Sequence, residues 1–290
     1  MTAYSYFPGC SLERMAGSYH VSTVETARAL GLDLQELEDW NCCGATAYFH
    51  IDELLATTLC ARNLAMAEQA GRDVVTPCSG CFKNMYAARA HLREDPDLAE
   101  HVNAALAEDG LQFQGTARVR HLIEVLVADV GLPEIRRRVV RPLRSLRVVP
   151  YYGCQILRPG KAPAEENAPH FFEDLLTAIG AAPMDFPLRD RCCGGSLIIT
   201  HRRAALSMVY ALLRDAEEHG AEVIATVCPL CQVNLECYQR HVNRLFGTRF
   251  ALPVLYFTQL VGLALGIPER RLGIGTELIS PAPLLARTAG

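Results

Sequence analysis

Ten of the twelve cysteines fall into two sets that keep the same order along the chain. The first set is Cys10, the adjacent pair Cys42 and Cys43, and the CxxC pair Cys78 and Cys81. The second is Cys154, then Cys192 and Cys193, then Cys228 and Cys231. As spacings these read C-x31-CC-x34-CxxC and C-x37-CC-x34-CxxC. A CxxC at a strand-to-helix turn gathers two thiols near a helix N-terminus, where the thiolate is stabilised. A thioredoxin-type pair would use CxxC and leave both CC pairs without a role. A structural zinc site takes four ligands and would leave a fifth cysteine over, identically, in each half. Neighbouring side chains on an extended segment diverge, so a CC pair suits two irons of one cluster better than one ion. The count therefore favours iron–sulfur chemistry, although five thiolates exceed the usual four.

Gly44, Gly194 and Gly195 follow the CC pairs. Glycine there permits positive φ and lets backbone N–H groups approach a bulky group closely. Cys60 and Cys237 have no counterpart in the other half and read as structural cysteines. His20, His50 and His201 lie near the cysteine segments as candidate proton donors. Trp40 precedes the first CC pair as a shield. Arg189, Arg191, Arg202 and Arg203 flank the second pair and offer positive charge to an anionic substrate. Tyr151, Tyr152 and Gln155 surround Cys154 as candidate cleft residues.

The elements that must position these residues repeat too. Expected strands are Tyr4 to Pro8, Asp33 to Leu37 and Asp73 to Thr76, then Leu146 to Tyr152 and Glu222 to Val227. Expected helices are Val21 to Leu30, Asp52 to Ala70 (capped by Asp52), Ser79 to Leu92, Glu166 to Ile179, His201 to Glu218 and Leu230 to Arg244. Strands alternating with helices predict an α/β fold: two homologous domains, each with a small, largely parallel sheet flanked by helices, related by a pseudo-two-fold axis. Cys10, Cys78, Cys154 and Cys228 then sit at carboxyl ends of strands, where such sheets place active groups. The domains are expected at 1–140 and 141–290, joined through the arginine-rich stretch Arg136 to Arg147. That stretch reads as a solvated linker or a docking strip. The segment Arg93 to Gly115 holds an insertion peculiar to the first half.

Composition narrows the function. A net charge of −4 argues against a general nucleic-acid binder. The most apolar stretch, Ala251 to Ile267, contains Thr258 and Gln259 and reads as a buried strand and helix rather than a membrane span. With no secretory pattern at the start, the thiols are expected in a reducing cytoplasm, as metal or redox groups. No C-x2-C-x2-C-x3-C-P run occurs, and no G-x-G-x-x-G or Walker A motif follows a strand. Electrons would have to come from another chain.

The paired five-cysteine sets resemble the CCG domain family. Over residues 1–270 the chain is similar to the catalytic B-type subunit of heterodisulfide reductase. The resemblance implies two noncubane 4Fe-4S clusters. Cys10, Cys42, Cys43, Cys78 and Cys81 would hold one; Cys154, Cys192, Cys193, Cys228 and Cys231 would hold the other. It implies that the clusters face each other and that a disulfide is cleaved or formed between them. Two matched sets suit that two-electron step. It also implies a ferredoxin-like C-type subunit as electron partner and, beyond it, a flavin-containing A-type subunit. The implied substrate is a disulfide or a carrier-bound lipoyl or persulfide sulfur. The arginine- and alanine-rich composition points to a bacterium, and the resemblance implies that related bacterial complexes serve sulfur oxidation; the residues leave the substrate and the direction open. The alternative within the resemblance is a non-catalytic electron-transfer subunit of a flavin-dependent lactate, glycolate or succinate dehydrogenase.

Overall fold

The computed structural model describes residues 3–45, 48–158 and 170–288. In the first half, strands β1 (Ala3–Tyr6), β2 (Asp33–Glu36), β3 (Val74–Thr76) and β4 (Val119–His121) form a parallel sheet in the order β2-β1-β3-β4. In the second, β5 (Arg147–Tyr151), β6 (Ala182–Pro183), β7 (Val223–Thr226) and β8 (Val254–Tyr256) repeat it as β6-β5-β7-β8. The central strands β3 and β7 are fully buried, and β1 and β5 are buried beyond their first residue, as expected where helices cover both faces of a parallel sheet.

Helices α1 (Cys10–Glu13) and α2 (Gly17–Leu30) connect β1 to β2, and α3 (Tyr48–Ile51) and α4 (Glu53–Gln69) connect β2 to β3. Helices α5 (Ser79–Glu94) and α6 (Pro96–Leu106) lead to β4. Then α7 (Leu122–Val125) passes through a wide π-helical turn, Leu126–Gly131, into α8 (Leu132–Arg138). The second half has α9 (Phe171–Ala178), α10 (Leu197–Thr200), α11 (Arg202–Glu218), α12 (Pro229–Cys237), α13 (Gln239–Phe246), α14 (Phe257–Ala264) and α15 (Ala282–Thr288). Asp52 caps α4 as expected, accepting from the Leu55 N–H at 2.9 Å. The insertion in the first half contains α6.

One expectation changes. The single helix expected over Leu230 to Arg244 is broken, because Tyr238 leaves helical geometry between α12 and α13. The Gln239 side chain supplies the reason. It donates to the carbonyls of Leu235 and Leu252 and accepts from the Leu252 N–H, turning the chain toward β8. The two-residue strand β6 has no alternating pattern long enough to read from sequence. The start of the helix expected from Glu166 lies outside the described residues; the remainder is α9.

The strand order reverses between β1 and β3, and again between β5 and β7. Loops leaving the strands there diverge and open a crevice. Cys10 and Cys78 leave β1 and β3, and the CC pair comes from the loop after β2. One sheet edge thus collects all five thiols.

The halves exchange their covering helices. Helix α14 of the second half packs on α2 of the first, while α7 and α8 of the first pack on α9 of the second, the reciprocity a pseudo-two-fold relation requires. Ser22 and Thr258 hydroxyls bond at 2.7 Å, and Thr26 Oγ1 donates to the Thr258 carbonyl at 3.0 Å. The Phe257 ring lies 6.1–6.4 Å from the rings of Tyr19, His121 and Phe172. One apolar cluster runs through both halves, and a second, smaller one lies wholly within the second half. Phe257→Ala is therefore expected to cost about 3–5 kcal/mol. In urea both halves should lose structure in one transition; two separated transitions would contradict a shared core.

Candidate metal centres

Each CxxC pair begins the helix after a central strand. Cys78 lies two residues past β3 in extended conformation and α5 starts at Ser79; Cys228, two residues past β7, and α12 repeat the arrangement. Cys43 and Cys81 sulfurs lie 3.3 Å apart, and Cys193 and Cys231 sulfurs 3.5 Å apart. Cys10 and Cys42 sulfurs are 3.8 Å apart, both at the surface. Cys154 and Cys192 make the equivalent bond in the second half. All twelve cysteines are free thiols. The two sets also meet, because the Cys78 and Cys228 thiols lie near enough across the halves to shift each other's ionisation.

Close approach explains several glycines. Gly9 has φ +73°, and a Cβ there would stand 2.9 Å from Cys81 Sγ. Gly153, at φ +69°, faces Cys231 Sγ at 3.1 Å in the same way. The expectation for Gly44 and Gly194 holds: both have positive φ, and a Cβ on Gly194 would meet Ala205 at 2.9 Å.

The electrostatics ask for positive charge. Cys42 and Cys192 are drawn below the ordinary thiol range by hydrogen bonds from Cys10 and Cys154, then from Cys43 and Cys193. Cys228 is drawn down by Cys231 and Cys78. Their partners are pushed up: Cys10 by its bond to Cys42 and then by burial, Cys78 by its neighbour Cys228. Five thiols in one hollow cannot all ionise against each other. The second set lines a cavity of about 140 Å³ together with Ser79, Tyr152, Gln155, Leu197 and Leu230, and among the described residues no Lys, Arg or His lines it. Soft sulfur donors around a space without a cationic side chain fit a metal–sulfur core, whose irons offset thiolate charge.

Of the other expected residues, Gln155 and Tyr152 do line this cavity. Trp40 borders the groove that holds Cys10 and packs edge-on against Phe7 at 5.2 Å. Tyr151 is structural, donating to the Arg191 carbonyl at 2.7 Å. Arg189 is held by Glu173 at 2.7 Å, while Arg202 and Arg203 are exposed on α11. His20 bonds Tyr6 at 3.2 Å, and exposed His201 bonds Thr200. The His50 side chain lies outside the described residues. Cys60 is buried and donates to the Cys43 carbonyl at 3.2 Å, so it braces the first CC loop. Cys237 lines a different cavity.

Sequence reasoning missed the asparagines. Asn84 Nδ2 donates to the Cys43 carbonyl at 3.3 Å, and Asn234 Nδ2 to the Cys193 carbonyl at 3.1 Å. Each lies three residues after its CxxC, so the signal was present twice. Also missed was a clamp between the halves. Ser79 Oγ donates to the Val227 carbonyl at 3.1 Å, and His121 Nε2 bonds the same oxygen at 3.2 Å. His121 Nδ1 accepts from the Ile123 N–H, which leaves Nε2 as the donor.

A family model for the CCG cysteine-rich domain matches twice, over residues 4–86 and 148–236. The chain belongs to the CCG family. The CCG chain is 36% identical over 283 residues to the 8-methylmenaquinol:fumarate reductase membrane anchor subunit of Wolinella succinogenes, covering 97% of this chain and 98% of that one. It is 33% identical over 292 residues to the B-type subunit of the ferredoxin/F(420)H(2)-dependent CoB-CoM heterodisulfide reductase of Methanosarcina acetivorans, covering 99% and 97%. A crystal structure of a hypothetical protein from Helicobacter pylori shares the fold, with TM-score 0.76 and 15% identity over 96% of this chain and 52% of that one. Within the CCG family the chain is of the kind typified by the B-type subunit of heterodisulfide reductase, an iron–sulfur electron-transfer subunit related to that enzyme. No helix among its described residues is long and apolar enough to cross a membrane.

The repeated asparagines yield a test. Asn234→Ala frees the second CC loop while leaving every cysteine in place. It should lower iron and acid-labile sulfide per chain, because the loop that carries Cys192 and Cys193 is no longer held. Asn84→Ala should do the same at the first. Unchanged iron in both variants, on protein purified without oxygen, would refute the role.

Proposed function

We propose that this chain is the disulfide-processing iron–sulfur subunit of a heterodisulfide-reductase-like complex, holding two noncubane 4Fe-4S clusters. Cys10, Cys42, Cys43, Cys78 and Cys81 hold one; Cys154, Cys192, Cys193, Cys228 and Cys231 hold the other. The observation that carries this reading is the convergence of the two donor sets: Cys78 and Cys228, each opening the CxxC of its own half, lie near enough to shift each other's ionisation, and Ser79 beside Cys78 lines the cavity of the second set. When bound, such clusters supply one-electron transfer and iron with an affinity for sulfur.

The residues around the seam prepare it for a sulfur substrate. Ser79 and Gln155 border the cavity from the two halves, and Gln155 Oε1 would lie 3.2 Å from a Cβ on Gly80, so glycine leaves it room. Leu197 and Leu230 give the cavity an apolar wall suited to the aliphatic arm of a thiol or lipoyl group. The buried cysteines Cys43, Cys78, Cys81, Cys193, Cys228 and Cys231 keep water from the sulfur chemistry. Electrons are exchanged with a ferredoxin-like C-type subunit and, through it, with a flavin-containing A-type subunit.

Anaerobically purified protein should carry about eight irons, two four-iron centres, and its visible and electron paramagnetic resonance spectra should change on adding a disulfide or lipoyl substrate. Cys43→Ser or Cys193→Ser alone should abolish disulfide turnover by the complex. Full turnover with one centre assembled would sink the two-sided reading.

One set of observations favours a second reading, electron transfer without sulfur chemistry beside a flavin dehydrogenase at a membrane surface. The Wolinella relative is named a membrane anchor subunit. Short helices after both CC motifs expose apolar side chains, with Ile51 80% and Ile199 85% accessible. Under this reading the assembled complex floats with lipid vesicles, and Ile51→Asp combined with Ile199→Asp releases it. Vesicle binding with no spectral response to any disulfide would favour this reading over the first.

A further inference from the structure

Behind the second CxxC lies a cavity of about 320 Å³ that the sulfur chemistry does not use. Its walls include Met15 and Ser18 from the first half, and Gln232, Glu236, Tyr256 and Glu277 from the second. Glu236 is the unusual member. It sits on α12, the helix that opens with Cys228 and Cys231, yet its side chain is turned inward and the residue is 6% exposed. Gln232, the residue after Cys231, holds it: Gln232 Nε2 donates to Glu236 Oε2 at 2.7 Å. The Tyr256 hydroxyl donates in turn to Gln232 Oε1 at 3.5 Å. The Ile279 N–H donates to Glu236 Oε1 at 3.4 Å. Among the described residues no Lys, Arg or His lines the cavity, and none makes an ion pair with the carboxyl.

The first half has no equivalent. With the offset of the matching CxxC motifs, Glu236 corresponds to Tyr86 and Gln232 to Phe82. Tyr86 is exposed and stands against Phe82. Whatever this carboxyl does, it does for one centre of the two.

We infer that Glu236 takes up the proton that accompanies reduction of the C-terminal centre, which makes the two centres inequivalent in proton coupling. The inference rests on the two-cluster reading above. The balance is one electron from the partner subunit to the centre and one proton from solvent, through the cavity, to the Glu236 carboxylate. No bond to sulfur forms or breaks. Added negative charge on the Cys228/Cys231 side raises the carboxyl's proton affinity through a medium of low dielectric. Burial already pushes the Glu236 carboxyl above its ordinary range, and Glu277 across the cavity pushes the same way. The titratable groups facing Glu236 are Glu277, the Tyr256 phenol and the Cys237 thiol; burial holds the last two in their neutral forms.

The sign follows. If reduction raises the carboxyl's pKa, the midpoint potential falls as pH rises between the pKa of the oxidised and the reduced state. The limiting slope is about 59 mV per tenfold change in proton activity for one proton and one electron. The experiment is an anaerobic redox titration of the complete iron-loaded protein at several pH values across neutrality, both centres followed by electron paramagnetic resonance and iron counted on each sample. One centre should show the slope and the other should not. Glu236→Gln should flatten that slope with iron content unchanged, Glu236→Asp should keep it, and Tyr86→Phe should leave both centres as they were. A slope that survives Glu236→Gln, or no slope in the parent protein, overturns the inference. Should iron analysis give a single centre, the two-cluster reading fails by itself; the response of the remaining slope to Glu236→Gln still decides this one.

Discussion

Five thiols crowded into one poorly solvated hollow repel as soon as they ionise, and the fold is arranged around that constraint. With no cationic side chain lining the cavity of the second set among the described residues, negative charge is shared among the sulfurs themselves, and Cys42, Cys192 and Cys228 are the thiols most easily ionised. Backbone N–H groups add to this, as at Gly194, whose N–H points at Cys192 Sγ from 3.4 Å. A metal–sulfur core replaces this makeshift sharing with real positive charge. The glycines at Gly9 and Gly153, the asparagines at Asn84 and Asn234, and the carbonyl braced by Cys60 all serve the same end. They fix loops that would otherwise spring apart.

A parallel sheet is a suitable base for such a centre. Three neighbouring strands release their chains at one edge, and the reversal of strand order opens the space between them. This explains why residues more than thirty apart in sequence meet within 4 Å. Because the halves share a core and exchange helices, the two hollows are held against each other rather than tethered by a linker. The Val227 carbonyl, bonded by Ser79 and His121, sits one residue before Cys228. A residue inside the first CxxC thus helps to place the second.

Much of this was legible in the residues. The cysteine spacings, the strand-to-helix position of each CxxC and the repeat itself give the parallel sheets and the collection of thiols. Apolar runs such as Val74–Thr76 and Val223–Thr226 mark buried strands. What stayed hidden depends on contacts distant in sequence. Asn84 and Asn234 look like surface polar residues of a helix until their carbonyl partners are known. His121 looks like a capping residue, and it is one, but its other ring nitrogen reaches the opposite half. Gln239 breaks a helix by binding Leu252, thirteen residues on, in the segment that leads into β8. Glu236 falls on a helix whose exposed face would ordinarily carry it, and only the packing of the 273–281 loop encloses it.

The exchange of covering helices has an ancestral meaning. A chain carrying one repeat would leave the face of its first helix bare, because the helix that covers it belongs to the other repeat. Two copies of that chain, set about an exact two-fold axis, would bury both faces and place their CxxC loops together, as Cys78 and Cys228 now lie. The interface therefore has the form of a homodimer whose protomers were later joined. Joining them released each copy to change alone, and the glutamate that one half carries where the other has tyrosine is the kind of difference a symmetric dimer could not have kept.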